Sequence, residues 1–390
     1  MYIVKLEYKI DQFGAQSISL SIDDIPHFLK DMKGLIKLKK KKSLFEETNE
    51  LFDYAYRILM DDLILDEGNS KFGWGHSYLK FVKDIYIGRI LDAGMDPASL
   101  TYTAWILDGL QNLYSFVEAK NLKEIKENIE SVFNNIIVSY LEPRFVKDQK
   151  TESTSPIAGN IFETLTGPIS AVTLRHTASI IRCYYHLGTH YDRIYRGFRV
   201  LDENIDNILK DRTLTIVEIL WSFFNIPSND IITKYGFHKS DIALTIKKLE
   251  LALLEKFQWD KGCWSADKES KNRTNIYMNL LVLSELKELQ NSSDSEIKNM
   301  FQKGFEFLRN NLIDISSGSR GLPFYPGNEP QIGATAVLLD VMKKNRSFEN
   351  EKEKKALVSS CINFILSEKE NQNYLNDTYA YQFASIFKLI

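Results

Sequence analysis

Two groups of side chains in this 390-residue chain have the types and spacing for chemistry. The first is acidic. Asp61, Asp62 and Asp66 fall in M-D-D-L-I-L-D-E, just before Gly68 and Asn69. On a helix, Asp62 and Asp66 stand one turn apart on one face, and carboxylate oxygens suit Mg2+. The plainer reading is a solvated helix end. The second group is Arg175 and His176, in T-L-R-H-T-A-S-I-I-R-C-Y-Y-H-L. An imidazole can exchange a proton near neutral pH; a guanidinium, with a pKa above about 12, cannot. The plainer reading of this pair is a salt bridge or a cap. His186 and His190 are four apart, a spacing that could face one metal, but Gly188 lies between them at a helix end and no metal is expected. The sequence holds no P-loop, G-x-G-x-x-G, G-x-S-x-G or H-E-x-x-H.

The elements that must position these groups are helical. Within residues 173–187, Leu174, Ala178, Ile181 and Tyr185 step by three and four along one seam, continuing from Ala171. Ile180, Cys183 and Leu187 form a second. A helix with two apolar seams is covered from both sides. Six segments share this character, each with a threonine near its start: Thr103, Thr177, Thr215, Thr274, Thr335 and Thr378. Between them lie charged, amphipathic stretches at residues 122–137, 240–257, 294–312 and 351–366. Alternation of the two kinds predicts an all-α fold, an α/α toroid of inner and outer helices over residues 43–390. A stacked solenoid or an irregular bundle would also fit the degenerate repeat. Asn291 to Asp294 and residues 316–321 read as loops. Trp105, Tyr184, Tyr185, Trp221, Tyr277 and Tyr381 are the aromatics that could line a central cavity, although such residues more often fill a core.

Residues 1–42 differ. Tyr2, Val4, Leu6, Tyr8 and Ile10 alternate with more polar neighbours, as do Ile18, Leu20 and Ile22, around a turn at Asp11 to Gly14. This predicts a β-hairpin followed by a short helix, an appended module suited to docking a protein partner. The run K-L-K-K-K-K at residues 37–42 could bind phosphate but lacks interleaved aromatics, so it reads as a solvated linker and no nucleic acid is expected.

Composition sets the outer limits. Apolar residues make up 44% and charged residues 26%, with a net charge of −3, an ordinary balance for a globular chain with no global pull toward nucleic acid or membrane. No run of about 18 apolar residues exists, so no membrane span is expected. The start of the chain has no apolar signal-peptide core. The three cysteines, Cys183, Cys263 and Cys361, are far apart and read as buried thiols of a cytoplasmic protein. Abundant Lys, Asn and Ile fit an AT-rich, bacterial genome.

Gln258, Gly262 and Trp264, in E-K-F-Q-W-D-K-G-C-W, fit the pattern Q-x-x-x-G-x-W after an apolar helix end. This resembles the QW motif of the squalene-hopene and class II terpene cyclase superfamily. There the Gln caps an outer helix and the Trp stacks before the next inner helix. Residues 71–75 and 320–325 look like weaker copies without the Gln. The resemblance covers most of residues 45–390 and implies the toroid. The family's acid motif, D-x-D-D-T-A, falls on Thr173 to Ala178: the Thr-Ala aligns, and all three acids are replaced, with Arg175 at the proton donor's place. The sister prenyltransferases carry a zinc site whose D-x-C pairing is missing here. The D-D-x-x-D magnesium motif of class I terpene synthases resembles Asp61, Asp62 and Asp66 with its spacing off by one.

These readings lead to two expectations. One is a diverged, non-catalytic toroid whose cavity binds a hydrophobic ligand, a peptide or a partner. The other is an enzyme of terpene cyclase or prenyltransferase type acting on an isoprenoid or its diphosphate, through His176 or the three aspartates, with Mg2+ if a diphosphate is used. Burial separates them. An enzyme should open Arg175 and His176 to the cavity, whereas a structural pair should be buried and engaged.

Overall fold

The computed structural model describes residues 44–66, 71–74, 100–119, 123–141, 146–147, 154–155, 171–189, 191–226, 236–266, 275–316, 318–344, 351–371, 374–375 and 378–389. The expected hairpin module at 1–42 and the lysine run at 37–42 lie outside these residues, as do Thr274 and His190.

The described chain is mostly helical. In order it runs α1 (Leu44–Asp61), β1 (Ile64–Asp66), β2 (Lys71–Gly73), α2 (Leu100–Ala119) and α3 (Lys123–Asn135) with a π-helical extension, Ile136–Leu141. Then come β3 (Val146–Lys147), β4 (Thr154–Ser155), α4 (Ala171–Leu187), α5 (Tyr191–Glu203), α6 (Ile205–Ile208), α7 (Thr213–Asn225) and α8 (Lys239–Glu255). β5 (Phe257–Gln258), β6 (Cys263–Trp264), α9 (Ile276–Glu285), a 3-10 turn (Lys287–Asn291) and α10 (Ser295–Asn310) follow. The chain closes with β7 (Ile313–Ser316), β8 (Ser319–Gly321), α11 (Ile332–Lys344), α12 (Glu351–Glu368) and α13 (Ala380–Phe387).

Helices α2, α4, α7, α9, α11 and α13 are the six threonine-marked segments. They are apolar all round because each is covered on several sides. In α9 every residue but Tyr277 is buried, and in α13 every residue is. Each packs on the next: α2 on α4, α4 on α7, α7 on α9, α9 on α11, and α11 on α13. α13 then packs back on α2. This last contact is close, since a Cβ at Gly109 would come 2.4 Å from the Ala384 carbonyl oxygen.

The amphipathic helices cover them. α3 packs on α2, α5 on α4, α8 on α7, α10 on α9, α12 on α11 and α1 on α13. α10 shows why. Asp294 caps it by accepting the N–H groups of Glu296 (3.0 Å) and Ile297 (3.4 Å). Ile297, Met300, Phe301, Phe305 and Leu308 then form one buried stripe, with Gly304 among them.

Among the described residues the sequence pattern missed four antiparallel two-strand pairings: β1/β2, β3/β4, β5/β6 and β7/β8. Three occupy the stretches with the Q-x-x-x-G-x-W likeness and its weaker copies. The residue after β2 or β8, or ending β6, donates its backbone N–H to a side chain of an apolar helix. Trp74 N–H bonds Thr103 Oγ1 (3.2 Å), Trp264 N–H bonds Asn279 Oδ1 (2.9 Å), and Leu322 N–H bonds Thr335 Oγ1 (2.9 Å). The strands are two to four residues long, too short for alternation to show. In the stretch read as a loop, Ser316 ends β7 and Ser319 to Gly321 form β8, with Gly318 at φ +82° just before β8. The cap of α8 that the resemblance implies for Gln258 is not made by its Nε2, which is buried without a hydrogen-bond partner; at this helix end the Lys256 backbone N–H bonds the Leu253 and Leu254 carbonyls.

Candidate functional site

The six apolar helices carry charged residues inside a core where burial must be compensated. Arg182, in the middle of α4, is fully buried. Its Nη2 lies 2.9 Å from Asp108 Oδ2 of α2 and 2.5 Å from Glu285 Oε2 of α9. Its Nη1 lies 3.7 Å from Glu218 Oε2 of α7, and its guanidinium sits 4.1 Å from the Trp221 ring centre. Lys388, the cap residue after α13, reaches the same carboxylates, 2.5 Å from Asp108 Oδ2 and 3.2 Å from Glu285 Oε1. Four of the six helices and the end of a fifth are thus tied by one ion-pair network. α11 joins through Asp340, whose Oδ2 accepts from Ser284 Oγ at 2.5 Å.

The charges in this network shift one another. Burial pushes the Arg182 and Lys388 pKa values down, but the Glu285 and Asp108 carboxylates more than offset this, and both stay protonated. Burial raises Asp108, yet the Lys388 ammonium and the Arg182 guanidinium hold it well below the usual carboxylate range. Glu218 goes the other way. Burial pushes it up to about 7, against the pull of Arg182, and Trp105 Nε1 donates to its Oε1. Burial, against the pull of the Asp108 carboxylate and with the help of the Arg182 and Lys388 charges, lowers His186 to about 4, so its imidazole is neutral at pH 7.

A cavity of about 410 Å3 adjoins the network. Helices α4, α7, α9 and α11 each end at it, with His186, Asn225, Glu285 and Lys343 in their last turns, and Lys388 follows α13. Asp108, Gln111 and Asn112 face it from α2, and Glu288 from the 3-10 turn. Tyr185 and Trp221 form its aromatic wall. At the other ends of α2, α9 and α13 the aromatics are packed on one another. Tyr102 stacks on Tyr381 at 4.2 Å, Trp105 lies 4.9 Å from Tyr381, and the Tyr277 and Tyr381 hydroxyls are hydrogen-bonded.

Of the six aromatics expected at a cavity, the structure therefore brings Tyr185 and Trp221 to it. Trp105, Tyr277 and Tyr381 belong to the packed cluster. Tyr184 is turned toward α5, where its hydroxyl accepts from Arg193 Nη1 at 3.0 Å. His176 is 2% exposed, and neither it nor Arg175 lines the cavity. Arg175 acts at a distance, its charge lowering the Glu218 pKa slightly. Asp62 and Asp66 do not share a helix face. α1 ends at Asp61, Asp62 follows it buried, and Asp66 is on β1 paired with Lys71. Among the described residues no group of three or more His, Cys, Asp or Glu has metal-site geometry.

Asp108, Arg182, Glu218, Glu285 and Lys388 escaped the sequence reading. Their signal was present. Asp108, Arg182 and Asp340 each lie five residues after a marker threonine, charged residues inside apolar runs.

No known family model matches the chain, and no curated protein is significantly similar to it.

Proposed function

We propose that this chain is an α/α toroid and that it is a binding protein, taking a small polar molecule in the cavity at the ends of its inner helices. Support for the toroid comes from the cycle of contacts α2–α4–α7–α9–α11–α13–α2 with one amphipathic helix outside each member. The observation that carries the binding role is the cavity lining: it draws on all six helices or their caps and is built from Asp108, His186, Glu285, Glu288 and Lys388 beside Trp221 and Tyr185. Ligand sites of a few hundred Å3 with a few converging polar groups and an aromatic wall are the common form of small-molecule pocket.

This lining favours a polar ligand over the apolar one that the family resemblance implies. An isoprenoid tail would have to desolvate carboxylates and lysine without replacing their hydrogen bonds. An enzyme acting on an isoprenoid diphosphate draws less support, because His176 is buried away from the cavity and the three aspartates are spread over a helix end and a hairpin.

A thermal-shift screen tests the reading. Polar compounds small enough for the cavity should include some that raise Tm in a concentration-dependent way, by mass action on the folded state. Isoprenoid alcohols and diphosphates should not. Stabilisation by the isoprenoids alone would overturn it.

A further inference from the structure

One contact of the buried network is left unmade. Arg182 Nη1 and Glu218 Oε2 face each other at 3.7 Å, beyond hydrogen-bond range, and each is buried with no hydrogen-bond partner among the described residues. A guanidinium N–H and a carboxylate oxygen so placed would close on one another if both groups were charged. A proton on Oε2 accounts for the gap, because an O–H facing an N–H sets donor against donor. The other oxygen, Oε1, already accepts from Trp105 Nε1. Charge balance points the same way. Arg182 and Lys388 are matched by Asp108 and Glu285, which makes Glu218 the surplus carboxyl.

The existing contacts of Arg182 are unequal. Its Nη2 lies 2.5 Å from Glu285 Oε2 but 2.9 Å from Asp108 Oδ2. The same Asp108 oxygen holds Lys388 Nζ at 2.5 Å, so it can give up Arg182 and keep a cation. The Asp108 side chain is 19% exposed and lines the cavity, and Arg182 rests on Trp221 of the cavity wall.

We propose that Glu218 is a proton switch for the cavity wall: on losing its proton it draws Arg182 into a direct ion pair, loosens Arg182 from Asp108 and Trp221, and leaves Asp108 to Lys388 alone. The O–H bond of the carboxyl breaks and the proton leaves to water, so the network and the wall beside it become more negative by one charge. Arg182 and Arg175 of α4 favour this ionisation, and Glu285 of α9 opposes it. α2 supplies the Trp105 donor. α8, also packed on α7, spends Lys247 on Glu250 and on Asp294. Burial outweighs the two arginines and sets the transition near neutral pH, at about 7. Control of binding by this switch rests on the cavity being the ligand site; the switch itself does not.

Two titrations of the full chain without any ligand, from about pH 5 to about pH 9, test the proposal. In the first, infrared spectroscopy follows the C=O stretch of a protonated carboxyl group, which should fade with a midpoint near 7 and be missing from Glu218→Gln. In the second, Trp221 fluorescence, taken as the signal lost in Trp221→Phe, should change with the same midpoint. His186, whose ring is 5.4 Å from Trp221, titrates at about 4, so a midpoint near 7 separates the two groups. Should Glu218→Gln fail to fold, agreement of the two wild-type midpoints still decides the matter. A carboxyl band that does not titrate near 7, or a band that titrates while Trp221 stays constant, would overturn the switch. Either result leaves the binding role of the cavity standing, and a ligand screen that finds nothing leaves the switch standing.

Discussion

Glu218 is the residue on which the electrostatics of the core turn. It is a fully buried carboxyl in the middle of α7, hydrogen-bonded by Trp105 and 3.7 Å from the Arg182 guanidinium. Its pKa of about 7 in the folded protein exceeds the unfolded value of 4.5, so the folded state binds the extra proton between these pH values. Stability contributed by this group is therefore present below about pH 4.5 and is lost as pH rises to about 7. His186 runs in the opposite sense. Its folded pKa of about 4 lies below the unfolded 6.5, so its contribution is gained as pH rises through that window. In the wild type the two trends offset. Glu218→Gln keeps the acceptor for Trp105 and removes one trend. Its stability relative to wild type, measured by urea denaturation at several pH values, should climb by up to ~3 kcal/mol between pH 4.5 and 7 and then level off. A difference that does not vary with pH would show that Glu218 is ionised in the folded protein throughout.

The hairpins are the elements that fix how the amphipathic helices sit on the apolar ones. Trp264, on β6, is fully buried against Phe257 and Phe301, and its ring fills the space that a side chain at position 304 would need. A Cβ on Gly304 would come 2.6 Å from the ring. Gly304→Ala should therefore cost about 1–3 kcal/mol by overpacking, and Trp264→Leu in the same chain should return part of that loss. Chemical denaturation of the two single variants and the double variant measures this coupling, and strictly additive effects would contradict the contact. Much of this layer was legible in the sequence. The all-round apolar runs marked by Thr103, Thr177, Thr215 and Thr335 became helices as expected, and the amphipathic runs near 240–257 and 294–312 became α8 and α10 within two residues at most ends. The short strands were not, because two to four residues carry no period. The site was hidden for a different reason. Arg182, Glu218 and Asp108 were visible as charges in apolar runs, but which of them meet is decided by contacts between helices far apart in sequence. Arg175 and His176 drew attention through a motif position, and the packing of α4 turns them away from the cavity.

At the scale of the whole molecule two features stand together: helices whose contacts run in a cycle, and a cavity where several of their ends converge. The contacts of α4 with α2 and α7, of α7 with α9 and of α13 with α2 bring charges from α2, α4, α7, α9 and the end of α13 within reach of one another. Beside the network lies a cavity whose lining is largely polar. The residues first suspected of chemistry sit elsewhere, so a binding role rests on the cavity and not on a catalytic motif. Among the described residues no helix is long and apolar enough to cross a membrane. The most direct test of the cavity as a ligand site is native mass spectrometry of the gently purified protein, followed by denaturation and identification of what is released. The expected result is a stoichiometric small polar molecule. A bare protein mass, or release of an apolar isoprenoid, would contradict it.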